Sequence, residues 1–561
     1  MQMKWKTRYI RYKKITRRLR RFLVLFISVC FLCGYLIFKS SVVQTSLGNH
    51  IGGVLSERTN ANISVEGVDF RPFDTFVLKG LLVLDHHRDT LLFAKDFHVE
   101  IDDFDLDKRL VKLGLLELND ANLKIKKYKG EKITNLKYFL TRLIKKKNTK
   151  RKLWSIYVKY LGLKELNFSY DNGNKRHKDR GIDFKHLKLS DVNATFNNVV
   201  YQDGVLNVNT DVLSFKEKSG FELIGLEGNM IMDNKNLVFK NLELETPSSD
   251  VNGQIKMEYK NFKSFRHFIT DVNLLGEFKE TTIDGDDIAF FAPKITGINR
   301  TLEFRGDISG TIDDLKANQL FFSYGKNTKF EGNLTIKGLS DAKTAIIEAQ
   351  VRDLVTYEND LKSIPLAPFG SGKTFKTPKW MADMGKMVFQ GEFSGIASDF
   401  EAFGLMQTKA GEIRADIFFK RDSNNVKSIK GKVKTNSFDL GKVLGKSSLG
   451  KVSVSGELDV LDDNKDFKLK FFGDIPRFEF RDYTYTNIKM DGEIRDRVFS
   501  GELMVKDPNL LLDFDGEIDF SDPKLQRYDF VAELKHANLN VINWIKRDSL
   551  AQVSGKINIG L

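Results

Sequence analysis

Beyond residue 60, apolar and polar residues alternate with a period of two along much of the chain, and this alternation constrains the fold more than any other feature. In residues 512–520 every even-numbered residue is apolar or glycine, and every odd-numbered residue is acidic. Residues 304–312 follow the same scheme. Because successive side chains of a β-strand point to opposite faces, the pattern predicts strands with one apolar and one polar face. We therefore expect a mainly β protein.

The strands share a five-residue unit, apolar-x-Gly-x-apolar, with the glycine in phase with the apolar face. Thirteen copies stand at irregular spacing, which argues against a solenoid of fixed period. Repeated glycine on an apolar face favours one long sheet that curls around that face. A series of ordinary sandwiches with glycine bends is the alternative. The copies lie at residues 226–230, 251–255, 274–278, 304–308, 308–312, 330–334, 389–393, 429–433, 454–458, 490–494, 499–503, 514–518 and 553–557.

These units supply the candidate functional residues, because their large apolar side chains would line a groove and their glycines would bend the strands. The candidate lining residues are Met230, Ile255, Phe278, Phe304, Ile308, Ile312, Leu334, Phe393, Leu458, Ile494, Phe499, Leu503, Phe514 and Ile518. The candidate bend glycines are Gly228, Gly253, Gly306, Gly332, Gly391, Gly456, Gly492, Gly501 and Gly516.

An uncharged stretch of seventeen residues, 22–38, follows a basic tail at the N-terminus. As a helix it would span about 25 Å, nearly the hydrocarbon core of a bilayer. Residues 1–21 carry ten basic side chains and no acidic one, so the positive-inside rule predicts a cytoplasmic N-terminus and an outward-facing body. The alternative, a cleaved signal peptide, would have a shorter apolar core and a small-x-small cleavage site, which is not evident here. We expect an uncleaved single-pass anchor.

The net charge of +14 is concentrated in that basic tail. Without residues 1–21, the chain has 79 basic and 75 acidic side chains, which is too balanced for a nucleic-acid-binding face. Cys30 and Cys33 are the only cysteines, so a disulfide framework is excluded. Their CxxC spacing falls in the apolar stretch, where we interpret both as small apolar residues.

No catalytic or ligand-binding motif is convincing. Residues 367–374, APFGSGKT, approach a phosphate-binding loop, but Pro378 stands where its helix would run. The eight histidines show no metal-ligand spacing, and His86-His87 is interpreted as a turn between strands. We therefore expect no enzyme activity, no cofactor and no metal.

Helices are expected to be few. Apolar residues at helical spacing predict a membrane-exit helix at 43–55 and a second helix at 135–147, and a third short helix is expected at 286–291. The second runs into a basic segment, KKKNTKRK, which either contacts anionic lipid or forms a solvated surface. The expected organisation is a cytoplasmic tail at 1–21, the anchor at 22–38, the exit segment at 39–60 and one elongated body at 61–561.

Three segments carry a family resemblance. They are the anchor followed by VVQTSLGNHIGGVLSERTNANISVEGVDFRPFDTFVLKGLLVLDHHRDTLLFA, then SGFELIGLEGNMIMDNKNLVFKNLELETPSSDVNGQIKMEY, then TPKWMADMGKMVFQGEFSGIASDFEAFGLMQTKAGEIRADI. In this order they resemble the N-terminal part of the TamB proteins in a Bacteroidetes-like form. Those proteins are the inner-membrane components of the translocation and assembly module and belong to the AsmA-like family.

The resemblance implies a strongly curved β-taco with a hydrophobic groove, anchored in the inner membrane and projecting into the periplasm. It implies an outer-membrane barrel of the BamA/TamA type as partner, reached through a C-terminal domain. Because the sequence stops at SGKINIGL, we expect it to be a fragment without that domain. Two functions stay open. One is envelope biogenesis through protein secretion and outer-membrane protein assembly, with polypeptide clients. The other is transport of phospholipids between the membranes, with acyl chains in the groove.

Overall fold

The mainly β class is confirmed in the computed structural model, where 28 strands account for most of the described chain. The structure describes residues 20–37, 40–59, 62–71, 75–105, 108–143, 153–291, 300–341, 343–364, 373–463, 466–519, 521, 527–545 and 551–559. The chain divides into two compact units, Met1–Asp233 with Glu243–Pro247 and Asn234–Leu242 with Ser248–Leu561. The predicted strong curvature stays a prediction.

Seven α-helices lie in the described residues, and most are short. They are α1 (Arg20–Ile37), α2 (Ser41–Thr59), α3 (Asn135–Leu143), α4 (Phe268–Asp271), α5 (Gly285–Phe291), α6 (Glu358–Leu361) and α7 (Leu440–Leu444). Two 3-10 helices lie at Phe262–His267 and Lys379–Met384. All three predicted helices are found, although residues 144–147 of the second lie outside the described residues.

Helix α1 is long and apolar enough to cross a membrane, with a mean hydropathy of 1.9 and no buried residues. Its side chains from Phe22 to Ile37 are mostly exposed, which costs free energy in water and suits a lipid environment. The predicted anchor at 22–38 overlaps it except for Phe38, which lies outside the described residues.

The first unit is a sheet that begins antiparallel and contains one parallel pair. Both β1 and β2 pair with β3, after which β3, β4 and β5 are antiparallel neighbours. Strands β5 and β6 are parallel and are joined by a crossover that contains α3, as a parallel pair requires. The strands are β1 (Ile63–Ser64), β2 (Gly67–Arg71), β3 (Thr75–Leu84), β4 (Thr90–Asp105), β5 (Leu110–Lys127), β6 (Ser155–Asn172), β7 (His186–Gln202), β8 (Val205–Glu217), β9 (Glu222–Leu223) and β10 (Gly225–Met232).

Helices α2 and α3 cover the beginning of this sheet. Leu136 and Phe139 of α3 pack on a core of buried residues from β1 to β4 and their connections, which includes Val68 and Leu81. A Cβ added to Gly48 of α2 would lie only 2.7 Å from the carbonyl oxygen of Val65, so the helix backbone lies directly against the strand region. The apolar face of the first strands is therefore closed by helices.

The second unit is a long antiparallel meander. Each strand from β12 to β27 pairs with the strand that follows it in sequence. The strands are β11 (Asn236–Glu245), β12 (Asp250–Glu258), β13 (Asn273–Asp284), β14 (Thr301–Gly310), β15 (Asp314–Tyr324), β16 (Thr328–Lys337), β17 (Ile346–Thr356), β18 (Met387–Ile396), β19 (Asp399–Thr408), β20 (Gly411–Arg421), β21 (Lys427–Asp439), β22 (Leu449–Asp462), β23 (Phe467–Phe480), β24 (Tyr483–Arg495), β25 (Val498–Asp507), β26 (Leu510–Asp519), β27 (Arg527–Asn538) and β28 (Gln552–Ile559).

The two ends of these strands differ. In an antiparallel meander successive connections alternate between the ends, so α5, α6, α7 and the segment 539–545 all fall at one end, which we call the helical end. There Met384 packs with Phe438, and Ile542 packs with Val505. At the other end, the turn end, short turns join most of the strands, with α4 and the 3-10 helix before it as the helical exception.

Candidate functional site

The register of the second unit aligns one apolar or glycine residue from every strand, β12 to β28, in a single row. Directly opposed residues of paired strands lie on the same face, so the row crosses the sheet on one face. This middle row consists of Ile255, Gly276, Ile308, Ala317, Leu334, Ala349, Phe393, Ala402, Ile417, Gly431, Leu458, Phe471, Gly492, Gly501, Gly516, Phe530 and Ile559.

Two further rows flank it on the same face, and none of their residues is charged. The turn-side row is Met257, Leu274, Gly310, Leu315, Ile336, Ile347, Gly395, Phe400, Phe419, Ile429, Val460, Leu469, Ile494, Phe499, Ile518 and Tyr528. The helix-side row is Leu320, Gly332, Val351, Gly391, Gly404, Ala415, Val433, Gly456, Gly473, Met490, Leu503, Phe514, Ala532 and Ile557. We call the three rows together the apolar band.

Most of the predicted lining residues lie in the apolar band. The ten that do are Ile255, Ile308, Leu334, Phe393, Leu458, Ile494, Phe499, Leu503, Phe514 and Ile518, and six predicted glycines, Gly332, Gly391, Gly456, Gly492, Gly501 and Gly516, lie there too.

The other predicted residues lie elsewhere. Phe278 and Phe304 stand nearer the helical end with ring centroids 5.1 Å apart, and Phe278 opposes both Gly253 and Gly306. Ile312 follows β14 and packs against the core around Val272. Met230 and Gly228 belong to β10 in the first unit, opposite Val208 and Thr210.

In the described residues a second layer covers only parts of the apolar band. Phe265 and Phe268 pack on its first strands, β12 to β14, and the segment around Ile542 packs near Leu503. Every large side chain of the middle row is half-buried, where the interior of a closed sandwich would be almost fully buried. Among the predicted lining residues in the band, only Phe514 is buried, at 8% exposure. Strand-to-strand contacts are dominated by sequence neighbours. The band is thus an apolar surface that has one side open.

Phenylalanine rings form much of this surface. The rings of Phe393 and Phe400 have centroids 5.1 Å apart, and Phe400 stacks on Phe419 at 4.8 Å. Farther along the sheet, Phe514 lies 5.8 Å from Phe499 and 5.0 Å from Phe530. Ring contacts therefore link adjacent strands in two parts of the band, β18 to β20 and β25 to β27.

At the glycines of the band, backbone or ring atoms of neighbouring strands come closer than a Cβ would allow, and some of these glycines also have a positive φ. Gly391 has φ +155°, and a Cβ there would lie 2.1 Å from the carbonyl oxygen of Phe403. Other glycines leave room for a ring, because a Cβ on Gly456 would lie 2.7 Å from Cζ of Phe471. The prediction that these glycines bend the strands stays a prediction.

The opposite face of the same strands is charged and exposed. Lys430 pairs with Asp459 at 3.0 Å, and Lys432 pairs with Glu457 at 3.4 Å. Such exposed pairs contribute little to stability, but they identify the face that meets water. Since the apolar band holds no charged side chain, the sheet is amphipathic across its thickness at the band.

Sequence analysis missed Gly404 and Gly473, although each is centred on the same five-residue unit. Their neighbours Phe403, Leu405 and Phe472 are apolar, which hides the alternation. It also missed strands without a central glycine, such as β20, whose Ile417 completes the middle row. In the first unit, it missed the approach of His86 and His87 to Glu131, because these residues are far apart in sequence.

No protein family model matches this chain, and no curated protein and no solved structure matches it.

Proposed function

We propose that this protein is a membrane-anchored carrier of phospholipids. In this proposal the apolar band of the second unit binds acyl chains while the headgroups stay in water. The observation that carries the proposal is the run of three uncharged rows across the sheet, whose large side chains are mostly half-buried and, from β15 onwards, have little cover among the described residues. An apolar surface of this extent is costly in water unless something covers it.

The dimensions suit hydrocarbon chains. Seventeen strands, β12 to β28, at a spacing of about 4.8 Å give a band roughly 80 Å long. One leaflet contributes about 15 Å of the 30 Å hydrocarbon core of a bilayer. Several acyl chains could therefore lie end to end along the band without meeting a charged side chain.

The chemistry of the band favours acyl chains over polypeptide. The backbone groups of its inner strands are paired within the sheet, and its side chains offer almost no polar atom to a bound segment. A polypeptide lying on the band would leave its own backbone polar groups unpaired, at a cost of about 1–3 kcal/mol for each group. An acyl chain carries no such groups. For this reason we favour lipid transport over the assembly of outer-membrane proteins.

The two ends of the strands suggest how lipid reaches the band. At the helical end, Met384 and Ile542 belong to segments that pack onto the apolar face and close it. At the turn end, short hairpin turns leave Ile347 exposed and Phe400 half-buried. Lateral access from the turn end keeps the headgroup beside water while the chain enters the band.

The anchor and the family resemblance complete the proposal. Helix α1 would hold the protein in the inner membrane with its N-terminus in the cytoplasm, and the strands would form a curved groove in the periplasm. The outer-membrane end of the route would be a barrel of the BamA/TamA type. In this arrangement the band bridges the two membranes.

Photocrosslinking in cells tests the proposal with neighbouring residues of the same type. Phe471 lies in the middle row, whereas Phe472 lies on the charged face and is 62% exposed. Phe419 and Phe418 form a second such pair, with Phe418 on the charged face. We expect lipid adducts from a photoreactive residue at 471 or 419 and few from 472 or 418.

Two outcomes would count against lipid transport. Polypeptide adducts at 471 and 419, with no lipid, would favour the assembly of outer-membrane proteins. Equal lipid labelling at 471 and 472 would show that the band has no special affinity for lipid.

A further inference from the structure

Two adjacent histidines and a distant glutamate converge in the first unit, away from the apolar band. His86 and His87 form the turn between β3 and β4, and Glu131 lies in the loop between β5 and α3. Nε2 of His87 lies 2.8 Å from Oε1 of Glu131, and Nε2 of His86 lies 3.2 Å from the same oxygen. All three ligand atoms lie within 4.8 Å of one another.

Both supporting loops are held by buried polar contacts. Asp85, only 5% exposed, accepts hydrogen bonds from the backbone N–H of His87 at 2.9 Å and from Nδ2 of Asn135 at 2.9 Å. The hydroxyl of Tyr128 donates to the same carboxylate at 2.7 Å. Through these hydrogen bonds Asp85 ties the histidine turn to the start of α3.

The imidazole rings are also fixed. His86 stacks on Tyr138 with ring centroids 4.1 Å apart, and His87 lies 3.9 Å from the ring of Tyr128. On the other side of the cluster, Asn174 accepts from the N–H of Gly130 and donates to the carbonyl of Glu131. The three ligand atoms are consequently preorganised before any ion arrives.

We propose that His86, His87 and Glu131 bind a divalent transition-metal ion, with zinc as the ion that the site fits best. Two imidazole nitrogens and one carboxylate form a common zinc ligand set, with a fourth position left for water. Ligand bonds of about 2.0–2.1 Å in a tetrahedron put neighbouring donor atoms about 3.3 Å apart. The observed separations of 2.8 and 3.2 Å are close to that edge.

Such an ion would fasten α3 to the sheet. Glu131 lies four residues before Asn135, the first residue of the helix whose Leu136 and Phe139 cover the core of β1 to β4. The ion would join this loop to the β3–β4 turn through bonds that do not depend on apolar packing. Its loss should therefore loosen α3 without unfolding the rest of the unit.

Zinc and cobalt titrations of the full-length protein in detergent, after removal of metal by a chelator, test the site. All proteins in this test carry His177→Ala, because Asp171, His177 and His186 form a second cluster of possible ligands and His177 is exposed. In this background we expect one saturable equivalent of zinc and, with Co²⁺, visible absorption bands typical of a tetrahedral site. Both should be lost in His87→Ala and Glu131→Gln. They should be kept in His267→Ala, because His267 is exposed and belongs to no cluster of possible ligands among the described residues.

Hydrogen exchange provides the structural readout. In the His177→Ala background, zinc should slow amide exchange in residues 135–143 at least tenfold, and with His87→Ala added it should have no effect there. Absence of saturable zinc and cobalt binding in this background would overturn the site, and so would binding that both variants retain. Binding with unchanged exchange would overturn the fastening of α3.

Discussion

The ring of Phe499 lies over Gly492 of the neighbouring strand, so that a Cβ added to Gly492 would stand 2.7 Å from Cε2 of Phe499. The same relationship links Phe389 with Gly404, at 2.9 Å, within the second unit. Small and large residues are therefore matched across strands, and the apolar band depends on that match as much as on hydrophobicity.

Replacing Gly492 with alanine should destabilise the protein, because the ring of Phe499 or the strand must shift. We expect a loss of about 1–3 kcal/mol in the free energy of unfolding, typical of overpacking. Gly555 is the matched control, since a Cβ there meets nothing within 4 Å. Urea denaturation of Gly492→Ala and Gly555→Ala measures the difference, and equal midpoints would contradict the matching of ring and glycine.

A charge in the apolar band should block transport without preventing folding. Ile518 is half-buried in the turn-side row, so in Ile518→Glu the carboxylate can reach water. Val505 is only 4% exposed beneath the segment around Ile542, so Val505→Glu would bury an unpaired charge. We expect normal abundance with reduced lipid crosslinking for Ile518→Glu, and depletion for Val505→Glu.

Protein abundance and lipid adducts at position 471, measured together in these two variants, check this expectation. Depletion of Ile518→Glu to the level of Val505→Glu would mean that the band is a closed core.

Alkaline pH should weaken the helical end of the second unit. The Tyr483 hydroxyl donates to Asp507 at 2.5 Å, and burial together with this hydrogen bond raises the pKa of Tyr483 to about 12. The folded state thus favours the protonated phenol, whose ordinary pKa is about 10. The resulting stability is fully present below about pH 10 and is lost as the pH rises towards 12.

The direction of this pH dependence can be checked by measuring unfolding midpoints of the unmodified protein and of Tyr483→Phe between about pH 8 and about pH 12. This range includes the ordinary pKa of tyrosine, about 10, and the raised pKa of Tyr483, about 12. We expect the difference in stability between the two proteins to shrink as the pH rises. A difference that stays constant would rule out a contribution from this phenol.

The topology is testable with reporters. The positive-inside rule predicts that the basic N-terminal tail stays in the cytoplasm. A reporter that works only outside the cytoplasm should therefore be active when it is fused after residue 60. N-terminal sequencing of the mature protein distinguishes an anchor from a signal peptide. A mature N-terminus near residue 45 would contradict the uncleaved anchor.

The sequence predicted the strands better than it predicted their alignment. Alternation is a local property, so residues 512–520 were enough to place β26. The rows of the band depend also on bulges, such as the shift between Ala317 and Leu320, whose position is set by pairing with β16. Single-strand patterns carry no information about such shifts.

The candidate metal site was harder to foresee for a similar reason. Adjacent histidines in a turn suggest no ligand set until the crossover between β5 and β6 brings Glu131 beside them. That approach depends on buried partners, Asp85 and Asn135, which are 50 positions apart in the chain.

The pairing of each strand from β13 to β28 with its immediate predecessor has a consequence for biosynthesis. Every new hairpin needs only the segment just made, so the separation in sequence between contacting residues stays small despite the size of the sheet. If such a chain leaves a narrow secretion channel with its N-terminus first, it could add strands one at a time. Each new strand would pair with the edge strand that has already formed. Growth of this kind avoids the long loop closures that slow the folding of other large β proteins. At the growing end, it also leaves only the most recent strand edge open to pairing with another chain.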